Sequence, residues 1–119
     1  MKNFSFAGIT LLTLALVTSG CDSNQTPADR FLQDEAAVKR GQQLFIGMCG
    51  AHCHGLRPGN REAPFLFDCE WKHGGTFKEV FATISNGVPK TQMLPFGGKL
   101  PDEDIWKLVA FLRAASRCR

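Results

Sequence analysis

Tyrosine is missing from all 119 residues, whereas phenylalanine occurs ten times. A core of this composition is Phe-rich, and its rings carry no polar handle. No run of Lys and Arg interleaved with aromatics occurs, so the electrostatic footprint of a nucleic-acid binder is absent. Paired segments of alternating apolar and polar residues are lacking too, and the chain reads as all-α. The formal net charge, +3, is too small to select a partner.

Long apolar runs are equally scarce. The one candidate, from Phe4 to Val17, is too short and too early for a permanent membrane span. It follows Lys2 and gives way to small residues, the layout of an export signal over 1–20. Its end, Val17-Thr18-Ser19-Gly20-Cys21, resembles a bacterial lipobox, although Thr18 stands where Leu is usual. That resemblance implies lipidation of Cys21 as the first mature residue. Asp22 then resembles the signal that retains lipoproteins at the inner membrane, which gives the periplasmic face as the address. An ordinary cleaved signal leaving a free thiol is the alternative. Losing 1–20 removes Lys2, takes the charge from +3 to +2, and leaves enough chain for one compact domain.

Ser23, Asn24, Gln25, Thr26 and Pro27 follow one another, so 21–33 reads as a lipidated N-terminus and flexible linker ahead of a domain over 34–119. Ala37, Val38, Gly41, Leu44, Phe45 and Met48 share one helical face and predict a helix over about 34–48. Gly41 sits mid-helix, where it costs up to ~1 kcal/mol relative to Ala, so a close backbone contact is expected there. Pro58, Gly59, Asn60 and Pro64 mark 55–68 as a wrapped loop. Thr76-Phe77-Lys78-Glu79 is a capping box opening a second helix that stops at Gly87. A last helix opens at Pro101, with Asp102, Glu103 and Asp104 at its positive end and Arg113, Arg117 and Arg119 towards the other.

The chemistry is concentrated in Cys49-Gly50-Ala51-His52-Cys53-His54. Covalent attachment of haem requires two thiols for its two vinyl groups and an adjacent imidazole for the iron, usually spelled C-x-x-C-H. Here three residues separate the cysteines. On a regular helix of 3.6 residues per turn, positions four apart lie about 40° from one another, so both sulfurs share a face. A local distortion of the turn is expected to absorb the extra residue, and His54 still follows the second cysteine directly.

Around this motif the chain resembles class I c-type cytochromes. Gly41 and Phe45 precede Cys49 by eight and four residues, Gly55 follows His54, and Met93-Leu94-Pro95-Phe96 is similar to the family's distal methionine loop. Ile105, Trp106, Leu108, Val109, Phe111 and Leu112 are similar to its last helix. The resemblance implies one covalently bound haem c, thioether-linked at Cys49 and Cys53, with His54 and Met93 as axial ligands to the iron. It also implies that the Pro64 carbonyl accepts the free N–H of His54, and that the helix crossing explains Gly41. Trp71 is a candidate donor to a haem propionate, with plain core packing as the equal alternative. Met48 reads as core, His52 as solvent-exposed, and His73 as a weaker distal candidate than Met93. Phe65, Phe77, Phe81, Phe96 and Phe111 read as packing. With Cys21, Cys49 and Cys53 so used, Cys69 and Cys118 remain as an even pair, a candidate disulfide in an oxidising compartment.

The function implied is single-electron transfer between redox proteins. With both axial positions filled no site remains for substrate, and catalysis is not expected. Trp71 with Gly74-Gly75, Met93 and Trp106 look similar to cytochromes that accept electrons from quinoprotein alcohol dehydrogenases, and also to cytochromes associated with terminal oxidases. Two other classes compete. C-x3-C with a neighbouring His suits Cu(I) delivery, and a five-coordinate haem sensor or peroxidase follows if Met93 is not a ligand.

Overall fold

The computed structural model describes residues 24–117. Cys21 and Cys118, together with the leader, lie outside the described residues. Four α-helices follow in order: α1 (Pro27–Phe31), α2 (Glu35–Leu44), α3 (Phe77–Asn86) and α4 (Asp102–Ala115). Between α2 and the long loop, Phe45–His54 continues the helical path as a π-helix. No strand occurs among the described residues, only an isolated bridge between Gly97 and Leu100.

The linker expected over 21–33 is corrected in its second half. Pro27–Phe31 forms a helical turn against α4, with Ala28 fully buried and Phe31 and Leu32 packed on the core. Thr26 caps it: the Asp29 carboxylate accepts from the Thr26 N–H at 2.6 Å and from its hydroxyl at 2.7 Å, which holds the Asp29 carboxyl below its usual range. The polar composition hid a Thr-Pro-x-Asp start signal.

Asp34 caps α2 by accepting from Ala36 and Ala37 N–H at 2.9 and 3.2 Å. The expected apolar face closes on α4 through Ala37, Gly41 and Leu44. A methyl group on Gly41 would run into the Lys107 carbonyl and stand 2.8 Å from Phe111 Cβ. Gly41 is there because two backbones meet. Phe45, Ile105, Leu108 and Val109 form the fully buried centre; each contributes about 1.5–3 kcal/mol by leaving water. Phe45, Phe67 and Phe111 pack mutually with centroids 5.2–5.9 Å apart, and Phe81 stacks on Trp106 at 4.0 Å. The Phe-rich core thus joins the first and last helices to the loop after the π-helix.

The Thr76 capping box forms as the sequence predicts: Thr76 Oγ1 accepts from Glu79 N–H at 3.2 Å and Glu79 Oε2 accepts from Thr76 N–H at 2.9 Å. Helix α4 begins one residue later than expected, with Pro101 as its cap rather than its first turn. Its acidic start is used laterally, since Asp104 pairs with Arg40 of α2 at 2.7 Å.

Candidate haem site

The six-residue motif lies entirely within the π-helix, closed by a hydrogen bond from Gly55 N–H to the Gly50 carbonyl at 3.0 Å, five residues back. A π-turn is an α-turn holding one more residue. The interval Cys49–Cys53 therefore fits one widened turn, and the 40° separation derived for a regular α-helix does not apply. This is the distortion that takes up the extra residue. Gly50 is buried because the Phe45 ring leaves room for nothing larger; a methyl there would stand 2.8 Å from its Cε1.

Beside this turn opens a cavity of about 780 Å³, lined by His52, Cys53 and His54, by loop residues including Pro64, Leu66 and Trp71, by Val80 and Ile84 of α3, by Val88 and Lys90 to Met93, and by Leu112. His54 is buried, and its Nδ1 lies 2.8 Å from the Pro64 carbonyl. A carbonyl only accepts, so the proton sits on Nδ1 and Nε2 keeps its lone pair. Cys53 is exposed. Cys49 is half-buried and packs against the core rather than lining the cavity; burial first, and the neighbouring Cys53 second, push its thiol up to about 11.

Met93, half-buried, lines the same cavity on a loop tied to the end of α3. Val88 N–H donates to the Met93 carbonyl at 2.9 Å, Thr91 Oγ1 accepts from Met93 N–H at 3.1 Å, and Phe96 and Gly97 N–H donate to Ile84 and Ser85 carbonyls at 3.0 and 2.9 Å. Trp71 lies in the wall with its indole N–H buried and without a partner. His73 is exposed at the cavity, as is His52. Met48 packs on the core. Cys69 is disulfide-bonded; Arg117 N–H donates to the Phe67 carbonyl at 3.2 Å, which brings the end of the chain beside it. Cys118 itself is outside the described residues.

Sequence reasoning gave Gly87 only the role of a helix stop and Arg113 only that of a charge at a helix end, and missed Thr91. The positive φ of Gly87, 68°, places its Cα against the Met93 loop. Nothing in local spacing announces that contact.

A flat, largely apolar group suits this space: the volume falls in the usual 300–1,000 Å³ range of ligand sites, and an imidazole and a thioether stand in its walls. The orphaned Trp71 N–H supplies a donor at the wall for a polar edge. Among the described residues no three or more His, Cys, Asp and Glu side chains are grouped to hold a bare metal ion. Fold and site define a class I c-type cytochrome, with haem c as its covalent cofactor.

Residues 36–112 match the family described as cytochrome c oxidase, cbb3-type, subunit III. The chain belongs to this family. It is 39% identical over 62 residues to the cbb3-type oxidase subunit CcoP of Rubrivivax gelatinosus, covering 51% of this chain and 20% of that protein. It is 31% identical over 90 residues to the subunit FixP of Sinorhizobium medicae, covering 68% and 31%. The chain thus spans a fifth to a third of the length of these relatives. Among solved structures, cytochrome cL of Methylophaga aminisulfidivorans superposes with a TM-score of 0.61 at 26% identity over 83% of this chain and 72% of its own. Cytochrome cL of Hyphomicrobium denitrificans gives 0.57 at 28% identity over 79% and 61%.

Proposed function

We propose that this chain is an electron carrier rather than an enzyme, in which Cys49 and Cys53 would hold one haem covalently and His54 and Met93 would supply its iron ligands. The observation that carries this is that one cavity is lined both by His54, its Nδ1 fixed on the Pro64 carbonyl, and by Met93 on the loop after α3. When bound, the haem supplies a one-electron Fe(III)/Fe(II) couple. His54, oriented by Pro64, presents Nε2 as the ligating nitrogen. The soft Met93 sulfur and the apolar wall of Leu66, Val80, Ile84 and Leu112 favour the less charged, reduced state. Trp71 offers its unpartnered N–H to a haem carboxylate.

The relatives named as cbb3-type oxidase subunits support a respiratory oxidase as acceptor. A quinoprotein alcohol dehydrogenase as donor rests on the resemblance carried by Trp71, Gly74, Gly75, Met93 and Trp106. Location on the periplasmic face, through lipid on Cys21, belongs to the same proposal. Five Cα steps separate Cys21 from the buried Thr26, a reach of at most ~18 Å. A lipidated Cys21 therefore keeps the domain at the bilayer. The Cys69–Cys118 disulfide is supported by the bonded state of Cys69 and by the placement of Arg117 beside Phe67.

The deciding experiment is a redox-monitored absorption spectrum of the purified full chain with its intact mass. Intense haem bands that survive denaturation, and a mass raised by one haem, are expected. A colourless protein without added mass would overturn the reading.

A further inference from the structure

The last turn of α4 carries Arg113, a position that complements the helix dipole and by composition alone needs no other role. Its side chain does something more specific. The guanidinium lies 5.0 Å from the Phe77 ring centroid and 5.5 Å from that of Trp71, and it donates to the Gly75 carbonyl. Gly75 in turn is pressed on Trp71: a methyl there would stand 2.9 Å from Trp71 Cδ1. Of its neighbours, Trp71 lines the cavity and Gly75 follows the lining residue Gly74, while Leu112, which precedes Arg113 on α4, lines it as well. The ion pairs among the described residues join Arg40 to Asp104 and Lys107 to Glu103, and neither involves Arg113.

A partly buried cation facing two ring faces and one carbonyl is held in place by groups that carry no net charge, with no carboxylate paired to it directly. Its field reaches through a low-dielectric wall, where charges act more strongly than in water. We propose that Arg113 raises the reduction potential of the haem: its charge, in no ion pair and held against Trp71, disfavours Fe(III), which carries one more positive charge than Fe(II), and outweighs the Glu79 carboxylate that lies against Gly74. The inference rests on the haem-carrier reading above. It adds a charge of this chain that sits outside the ligand set and acts on the one-electron couple at a distance.

The test compares Arg113→Met, which keeps bulk and loses charge, with Arg113→Lys, which keeps charge and loses the planar stack. Both are made in the full chain, and the potential is read by mediated spectroelectrochemistry. Far-UV circular dichroism and the haem spectrum serve as controls for folding and loading. The potential of Arg113→Met is expected to fall, while Arg113→Lys stays near the parent value. An unchanged potential in Arg113→Met overturns the proposal, and so does an equal fall in both variants, since that assigns the effect to packing. If Arg113→Met does not fold, Arg113→Gln with the same lysine control decides on the same criteria. Failure of the carrier reading itself is distinguishable, because the parent chain would then show no haem bands.

Discussion

Gly87 and Met93 meet at the neck of one loop. A methyl group on Gly87 would stand 2.5 Å from the Met93 carbonyl oxygen, which already accepts from Val88 N–H at 2.9 Å. With φ 68° and ψ −173°, position 87 also lies in a region essentially reserved for glycine, where an L side chain costs roughly 1–3 kcal/mol. Gly87→Ala is therefore expected to loosen the loop that presents Met93. The measurement is the Met–Fe(III) charge-transfer band together with the denaturation midpoint: the band should weaken and the midpoint fall. A variant with both intact would show that the neck does not position the methionine.

Removing the sulfur itself should act on the other side of the same relationship. Met93→Ala is expected to open the distal position, lower the potential and allow carbon monoxide to bind the reduced protein. The helices stay in place, because Met93 is only partly buried and its loop is tied by backbone bonds. An unchanged potential with no carbon monoxide spectrum would disprove the axial assignment. The same outcome would leave His73, also at the cavity, to be tested as ligand.

What the sequence made legible, and what it did not, follows from the range of each interaction. The Thr76–Glu79 box and the Asp34 cap are local contacts within one turn, so residue order suffices to place them. Gly41 was legible through its cost: a helix-interior glycine demands a reason, and the crossing with α4 supplies it. The turn at Pro27–Phe31 was not legible because α1 hides Ala28, Phe31 and Leu32 among polar neighbours, and only contact with α4 gives it its stability. Arg113 was unreadable for the converse reason. Its partners Trp71, Gly75 and Phe77 come from a loop and a helix start that only the tertiary fold brings to it.

Gly41→Ala poses two effects of opposite sign. The substitution improves helix propensity by up to ~1 kcal/mol. Against this, the new methyl meets the backbone carbonyl of Lys107 and the Phe111 Cβ, neither of which can swing aside. Overpacking of this kind costs about 1–3 kcal/mol, so net destabilisation is expected. Chemical denaturation should show a lower midpoint with an unchanged slope, and a midpoint equal to or above the parent would contradict the close crossing.

Acid should weaken the same pair of helices. The Arg40 guanidinium, hydrogen-bonded to Asp104 at 2.7 and 3.2 Å, holds that carboxyl below its ordinary value of 3.8, against a smaller opposing effect of burial. A lowered folded-state pKa means the contribution is fully present above 3.8 and is lost as pH falls through the depressed value. Because the Arg40 side chain is 47% exposed, solvent screens the pair and its contribution is small. Asp104→Asn should therefore be slightly less stable than the parent at neutral pH, with the difference disappearing well below pH 3.8. Equal stability of the two at neutral pH would show that the pair contributes nothing.

The widened turn makes a separate, sharper prediction. If the π-helix exists only to hold one residue more than C-x-x-C-H requires, then deleting the exposed Ala51 should let Phe45–His54 relax to an α-helix. Phe45, fully buried, and His54, tied to the Pro64 carbonyl, are fixed at the two ends of the segment, so the change has to be absorbed between them. Haem attachment should persist through the new C-x-x-C spacing, and stability should hold or rise because a strained hydrogen-bond ladder has been replaced by a regular one. The readouts are intact mass, haem retained after denaturation, and the thermal midpoint. Loss of covalent haem in the deletion variant would show instead that the four-residue spacing of Cys49 and Cys53 is matched to this cavity, and that the π-turn is a requirement of the site rather than an accommodation.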